Sequence, residues 1–451
     1  MERRTAGLML RSFLIAFAAL VLAVFIHVSS AFSAVQEFML DNGLKVLFIE
    51  DHKIPLATFQ IWYKVGSIDE PAGKSGMSHL LEHMMFKGTY KYGSKELSNA
   101  VQRRGGTDNA FTTKDYTMYY ETMPSDFISL PIEFEADRMK NLTFKDLKSE
   151  RSVVMEERRM RTEDDPQNLL FEETLAASLM VHAYRKPVIG WMDEIASITR
   201  DDLASYYGTY YSPDNAFIIL SGDVYPDKLL PLIKKDFGPI KPAGSRLQRI
   251  ITVEPAQQGE KIANLVSESA ELPYILAVYH VPSFPDKDSY ALDVLSTILG
   301  GGKSSRLYLE LVYRQRLAIE ASADYADLNR NPYVFIINIS IAPAKNTKDV
   351  MSALDAEIEK LKKEPPSAEE IQKAKNQVEA GFEFARDSSY SEALYTGMFQ
   401  ILGDWKLRDR YLEGIRNVTA ADVQDAARRY LTRENRTIGY LKPGKREAHD
   451  E

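Results

Sequence analysis

Two stretches of this 451-residue chain lie over one another without a gap at an offset of 220 residues. Ile195 to Leu220 reads IASITRDDLASYYGTYYSPDNAFIIL, and Ile415 to Tyr440 reads IRNVTAADVQDAARRYLTRENRTIGY. Thr199 and Thr419 are each placed to cap a helix, with Asp202 and Asp422 at its third position and Tyr210 and Tyr430 at its end. Asn215 and Asn435 then precede a β-rich run. A repeated cap, helix, turn and strand predicts two units of one topology. The length asks for the same, because a single hydrophobic core stops growing near about 250–300 residues.

Each unit reads as α+β. Phe38 to Ile49 and Ala57 to Val65 are short β-rich runs, and segments of helical period follow them. The expected fold is two homologous α/β-sandwich domains, each a mixed sheet flanked by helices, arising from an internal duplication. Periodicity breaks at Gly238, Pro239, Pro242, Gly244, Ser245 and Pro255. The expected division is therefore residues 35–237, a linker at 238–258, a second domain at 259–443 and a polar tail at 444–451.

Residues 1–33 have a different character. Arg3, Arg4 and Arg11 flank an apolar run from Phe13 to Val28, and Ala31 and Ser33 fit the small-residue rule for cleavage ahead of Ala34. A signal peptide is expected, with export to a bacterial periplasm. An uncleaved membrane anchor is the alternative, although a span needs about 20 apolar residues. The formal net charge of -8 and pI near 5.6 argue against a nucleic-acid partner. With no cysteine in the chain, disulfides, thiolate ligands and cysteine nucleophiles are excluded.

The sharpest local pattern is His79-Leu-Leu-Glu82-His83, inside Ser75 to Gly88. Met77, Leu80, Leu81, Met84 and Met85 recur at helical spacing, so the segment is a helix with one apolar stripe. Side chains at i and i+4 share a helix face, and both imidazoles can then reach one metal ion with Glu82 between them. A third protein ligand is needed. Glu150, Val153, Val154 and Glu157 fall on one stripe of a second helical segment, which puts two carboxylates on an apolar face and calls for a cation. Glu157 as ligand and Glu150 as supporting carboxylate meet that need, whereas Glu156 points about 100° away. The competing reading of this segment is a solvated helix held by Glu–Arg pairs.

Gly300 to Ser305 imitates the end of a phosphate-binding loop, but the glycine required five residues before Gly302 is Thr297. It reads as a glycine-rich turn opening the helix that contains Arg306 and Leu307.

The inverted motif His79-x-x-Glu82-His83, followed by Glu150 and Glu157 seven residues apart, resembles the pitrilysin/insulinase family of zinc peptidases. Its half-length members, such as mitochondrial processing peptidase subunits and bacterial homologues, are the nearest in form. Gly105 to Thr117 and Tyr184 to Gly190 also resemble family segments, and the likeness runs over residues 37 to 443. The resemblance implies Zn2+ held by His79, His83 and Glu157, with Glu82 as general base and Glu150 supporting. It implies two halves closing like a clamshell on extended peptide substrates. An edge strand at Asn109 to Thr113 would bind the peptide, with Asn109, Ala110 and Thr112 as its contacts. The second domain holds only His280 and no copy of the motif.

Active relatives carry an arginine and a tyrosine in the second domain that hold the substrate backbone. Here Val312 and Ile319 fall at those positions, with Tyr313, Arg314 and Tyr325 nearby as substitutes after a register shift. The expectation is a heterodimer with a related subunit that lacks zinc and supplies the pair, a homodimer being the alternative. A non-catalytic scaffold subunit and a dedicated processing peptidase are the rival functions that the resemblance leaves open.

Overall fold

Alternating and wholly apolar β-rich runs build two mixed sheets in a computed structural model that describes residues 35–244 and 252–444. The expected signal peptide, residues 245–251 of the linker and all of the polar tail except Gly444 lie outside the described residues. The first sheet holds β1 (Val35–Met39), β2 (Lys45–Glu50), β3 (Leu56–Tyr63), β4 (Thr107–Thr112), β5 (Thr117–Pro124) and β6 (Ala216–Gly222), in the order β1-β2-β6-β3-β5-β4. The second holds β7 (Lys261–Ser267), β8 (Tyr274–Val281), β9 (Ala318–Tyr325), β10 (Tyr333–Ile341) and β11 (Arg436–Pro443), in the order β7-β11-β8-β10-β9. Exchanging β2, β6, β3, β5 and β4 for β7, β11, β8, β10 and β9 turns one order into the other. Each sheet has one parallel pair, β2 with β6 and β7 with β11.

The duplication extends to single hydrogen bonds. Thr199 and Asp202 close a capping box on the helix Arg200–Tyr210, and Thr419 and Asp422 do so on Ala420–Tyr430. In both copies the asparagine amide, Asn215 or Asn435, donates to the carbonyl of the tyrosine that ends the helix, at 2.8 Å. The turn into the central strand is therefore fixed identically. The glycine-rich turn after Gly300 leads into a helical turn and a π-helical segment, Tyr308–Arg314.

Every residue of β6 is buried, which requires cover on both faces of the sheet. One face packs on helices of its own half, including Met77–Met85 and Ser129–Asn141. The other face, with Leu47, Ile49, Trp62, Phe217 and Ile219, is covered by Ala393, Met398 and Ile401 of the helix Ser389–Ile401, which belongs to the second half. The exchange is mutual. Leu170 and Leu175 of the helix Pro166–Ser178 pack on Leu276, Val278 and Leu441 of the second sheet. Each sheet thus lies within its expected segment of chain, yet each completes its sandwich with a helix from the other segment.

Two further contacts join the halves. The Tyr184 hydroxyl lies 2.6 and 2.7 Å from the carboxylate oxygens of Asp115, in the turn between β4 and β5. It also accepts the backbone N–H of Asn331, in the turn between β9 and β10, at 3.3 Å. Equivalent hairpin tips therefore meet on one buried tyrosine. Among the described residues the second sheet has no counterpart of β1. The chain ahead of β7 instead runs to the first half, where the Glu254 carboxylate accepts the N–H groups of Met180, Val181 and His182. Among the described residues no helix is long and apolar enough to cross a membrane.

Candidate metal centre

The helix Met77–Met85 begins where the Glu70 carboxylate accepts the N–H groups of Gly76, at 3.0 Å, and Ser78, at 2.8 Å. Gly76 has φ 88°, and a Cβ on it would fall 2.5 Å from the Ile189 carbonyl, so only glycine fits. Met77, Leu80, Leu81, Met84 and Met85 are buried, which turns His79 and His83 to the flank. Their rings are 4.8 Å apart. The helix Leu147–Arg158 approaches from the side and brings Glu157 Oε2 to 3.3 Å from His83 Nε2 and 3.8 Å from His79 Nε2. One ligand atom from each residue lies within 4.8 Å of the other two, the one such group among the described residues.

The protonation of these groups suits a cation. Burial, aided by the nearby His83, lowers His79 to about 4, so the ring is neutral with a lone pair to give. The His83 hydrogen bond outweighs partial burial and holds Glu157 below the usual carboxylate range, so it is charged. His79 Nδ1 is buried without a hydrogen-bond partner, which leaves the ring's polar contacts to its other nitrogen. Two imidazole nitrogens and one carboxylate oxygen form a donor set that fits zinc with an open position.

His83 Nδ1 lies 3.2 Å from Glu150 Oε1, and the other Glu150 oxygen forms an ion pair with Lys87. Glu150 therefore orients a histidine from behind. Glu82 is 8% exposed; burial raises its pKa, and the Thr112 hydroxyl opposes this by donating to Oε2 at 2.5 Å. Asn109, Ala110 and Thr112 of β4 line a cavity of about 560 Å³ together with His79, Glu82, His83 and Glu157. Thr112 spends its hydroxyl on the Glu82 carboxylate, and Asn109 Oδ1 accepts the neighbouring N–H of Ala110. β4 is the last strand of its sheet, so among the described residues its outer edge carries no strand.

Glu156 is exposed and bonded to Arg159 at 2.8 Å, away from the cavity. The expected stripe needs one correction: Val154 and Glu150 are buried, but Val153 is 47% exposed, because the helix packs along its 150–154–158 line. Arg158 completes that line. It is buried against Glu172, at 2.7 and 2.9 Å, and the Gly190 carbonyl, at 2.8 Å, pinning this helix to the crossing helix Pro166–Ser178. Sequence reasoning missed Lys87 and Arg161, although each stands four residues after a candidate ligand, the spacing that keeps side chains on one helix face.

In the second half the helix Ser289–Gly300 takes the place of Met77–Met85. A Cβ at Gly300 would lie 1.8 Å from the Ala323 nitrogen of β9, so the end of this helix and the strand meet backbone to backbone. Val312 packs on the second core and Ile319 is 52% exposed. Arg314 bonds Glu310 at 2.9 Å, and the Tyr325 hydroxyl donates to the Pro282 carbonyl at 2.6 Å.

An α/β sandwich repeated twice, with an inverted His-x-x-Glu-His helix in the first copy alone, defines a class of metallopeptidase-like proteins. The chain belongs to the insulinase family, peptidase family M16: residues 45–190 match that domain, and residues 197–378 match the domain described as peptidase M16 inactive domain. It is 32% identical over 421 residues to the zinc protease PqqE of Helicobacter pylori, covering 92% of this chain and 95% of that one. A crystal structure of a protease from the same organism superposes with TM-score 0.85 at 32% identity, over 91% of this chain and 100% of that one. The periplasmic protease PqqL of Escherichia coli shares the fold at TM-score 0.75 and 19% identity, over 91% of this chain and 48% of that one.

Proposed function

We propose that this chain is a zinc-dependent endopeptidase acting on extended peptides. The observation that carries the reading is the meeting of His79, His83 and Glu157 beside the buried Glu82, in a cavity walled by the free edge of β4. When bound, zinc supplies Lewis-acid chemistry toward water and the peptide carbonyl. The chain's own residues do the rest. Glu82 takes the proton of the attacking water and returns it to the leaving amine, and burial favours that exchange by bringing its basicity closer to that of the water. Thr112 holds the Glu82 carboxylate in place, while Glu150 and Lys87 fix the His83 ring. A peptide laid along β4 as an added strand is held by backbone hydrogen bonds, which suits substrates of varied sequence.

The full ligand set favours catalysis over a scaffold role, and the inactive-domain match, residues 197–378, lies wholly beyond the segment that carries His79, His83 and Glu157. Val312 and Ile319 offer no side-chain donor, Arg314 and Tyr325 are already bonded, and Tyr313, 73% exposed, is the one of the three nearby substitutes without such a bond among the described residues. The chain is accordingly read as the zinc subunit of a heterodimer whose related partner supplies an arginine and a tyrosine. Residues 1–33 export it to the periplasm.

The decisive variant is Glu82→Gln. It should retain stoichiometric zinc by metal analysis and lose at least about a hundredfold in peptide hydrolysis, measured with the co-purifying partner present. Full activity of that variant would remove Glu82 from its role.

A further inference from the structure

Arg161 stands four residues beyond Glu157, in the π-helical segment Arg159–Glu163 that continues the helix Leu147–Arg158. The wider winding, marked by the Asp164 N–H donating to the Arg159 carbonyl at 2.8 Å, accompanies the arrival of Arg161 and Thr162 on the cavity wall. One guanidinium nitrogen forms an ion pair with Glu157 Oε1 at 2.7 Å, yet the side chain remains 76% exposed. Its other donors meet no acceptor among the described residues.

Among the described residues Arg161 is the one arginine or lysine lining the cavity, and Glu82 and Glu157 are the only carboxylates there. Of the acidic residues that follow it, Glu163 pairs with Arg158 at 3.2 Å and Asp165 caps the helix Pro166–Ser178, while Asp164 is exposed and does not line the cavity. The Arg161 charge reaches His79 and Glu82 as well as Glu157, which sets the guanidinium at the site itself. With a divalent ion held, two carboxylates face that ion and one guanidinium, and one positive charge is left over. The rest of the wall is uncharged: Phe111, Val188 and Ile189 are apolar, and Asn109, Thr112 and Thr162 are neutral polar groups that give a basic side chain no countercharge. A planar fork with unused donors is built for a carboxylate.

On the peptidase reading above, we propose that Arg161 selects the substrate by binding a carboxylate of the peptide beside the scissile bond, so that acidic peptides are preferred and basic ones rejected.

The test uses the zinc-loaded Glu82→Gln protein, with its partner, and peptides that differ only in one central Glu, Gln or Lys. All are acetylated and amidated; a further Gln peptide keeps its free C-terminal carboxylate. Fluorescence anisotropy should give about tenfold tighter binding for the Glu peptide than for the Gln peptide, and weaker binding still for Lys. If the free C-terminus gives the gain instead, the carboxylate recognised is terminal, and the proposal stands with that source. Arg161→Gln should erase the difference and Arg161→Glu should reverse it, with zinc content measured for each. Equal binding of all peptides, or a preference that survives Arg161→Gln, overturns the proposal. So does loss of zinc from both Arg161→Gln and Arg161→Lys, which would mean that Arg161 serves Glu157 alone. Hydrolysis of a mixed peptide pool by the unmutated complex judges the peptidase reading separately.

Discussion

The indole of Trp62 on β3 occupies the space in which residue 397 would carry a side chain: a Cβ on Gly397 of the crossing helix would fall 2.2 Å from the ring. Trp62 is fully buried and stacks on Phe217 with centroids 5.5 Å apart, so it has nowhere to go. Gly397→Ala should lower the melting temperature of the whole protein and cost about 1–3 kcal/mol, despite alanine's better helix propensity. Gly381, in the last turn of the helix Ala368–Phe384, has nothing within 4 Å of its Cβ position, and Gly381→Ala should raise stability by about 0.5–1 kcal/mol. Thermal melts of the two variants check the pair.

Glu157→Gln should weaken zinc binding directly, whereas Glu156→Gln, which loses only an exposed pair with Arg159, should be close to neutral. Zinc titration of the two purified variants distinguishes them. A Glu156→Gln protein that loses zinc beside a Glu157→Gln protein that keeps it would reverse the assignment.

Lys87→Met leaves the buried Glu150 carboxylate without its cation, although no candidate ligand is altered. Zinc affinity should fall by about 10–100-fold. Lys87→Arg should recover part of it, and competition with a fluorescent chelator gives both values.

Asp293 and Asp327 border a cavity of about 460 Å³ in the second half. Burial raises both carboxyl groups, and the Asp293 charge raises Asp327 further. A carboxyl raised on folding binds more protons in the folded than in the unfolded chain, so its contribution falls as pH climbs past the unfolded value near 4. The metal-free protein should therefore lose stability between pH 5 and pH 8 through this pair, and Asp327→Asn should flatten that loss and melt higher at pH 8. An unchanged pH slope in urea unfolding would show that the pair does not titrate this way.

Features held in short stretches of chain were legible in the sequence. Thr199 with Asp202 and Thr419 with Asp422 are capping boxes whose partners stand three residues apart, and His79 and His83 share a face because helical geometry requires it. Glu157 was separable from Glu156 by helical phase alone. Contacts across the fold were not legible: the hydrophobicity of Trp62 and Leu170 predicts burial but not that each is covered from the other half. The bond from Thr112 to Glu82 likewise joins a strand and a helix whose approach no local pattern encodes.

The exchange of helices sets a waiting time for the growing chain. The first sheet has all its strands once Gly222 has emerged, but the helix that shields Trp62 and Phe217 begins only at Ser389. At about 5–20 residues per second, that oily face stays bare for on the order of ten to thirty seconds, long enough for sticking to neighbours. A chain shortened before Ser389 would never cover it, and the nascent protein keeps that face uncovered until the helix Ser389–Ile401 arrives.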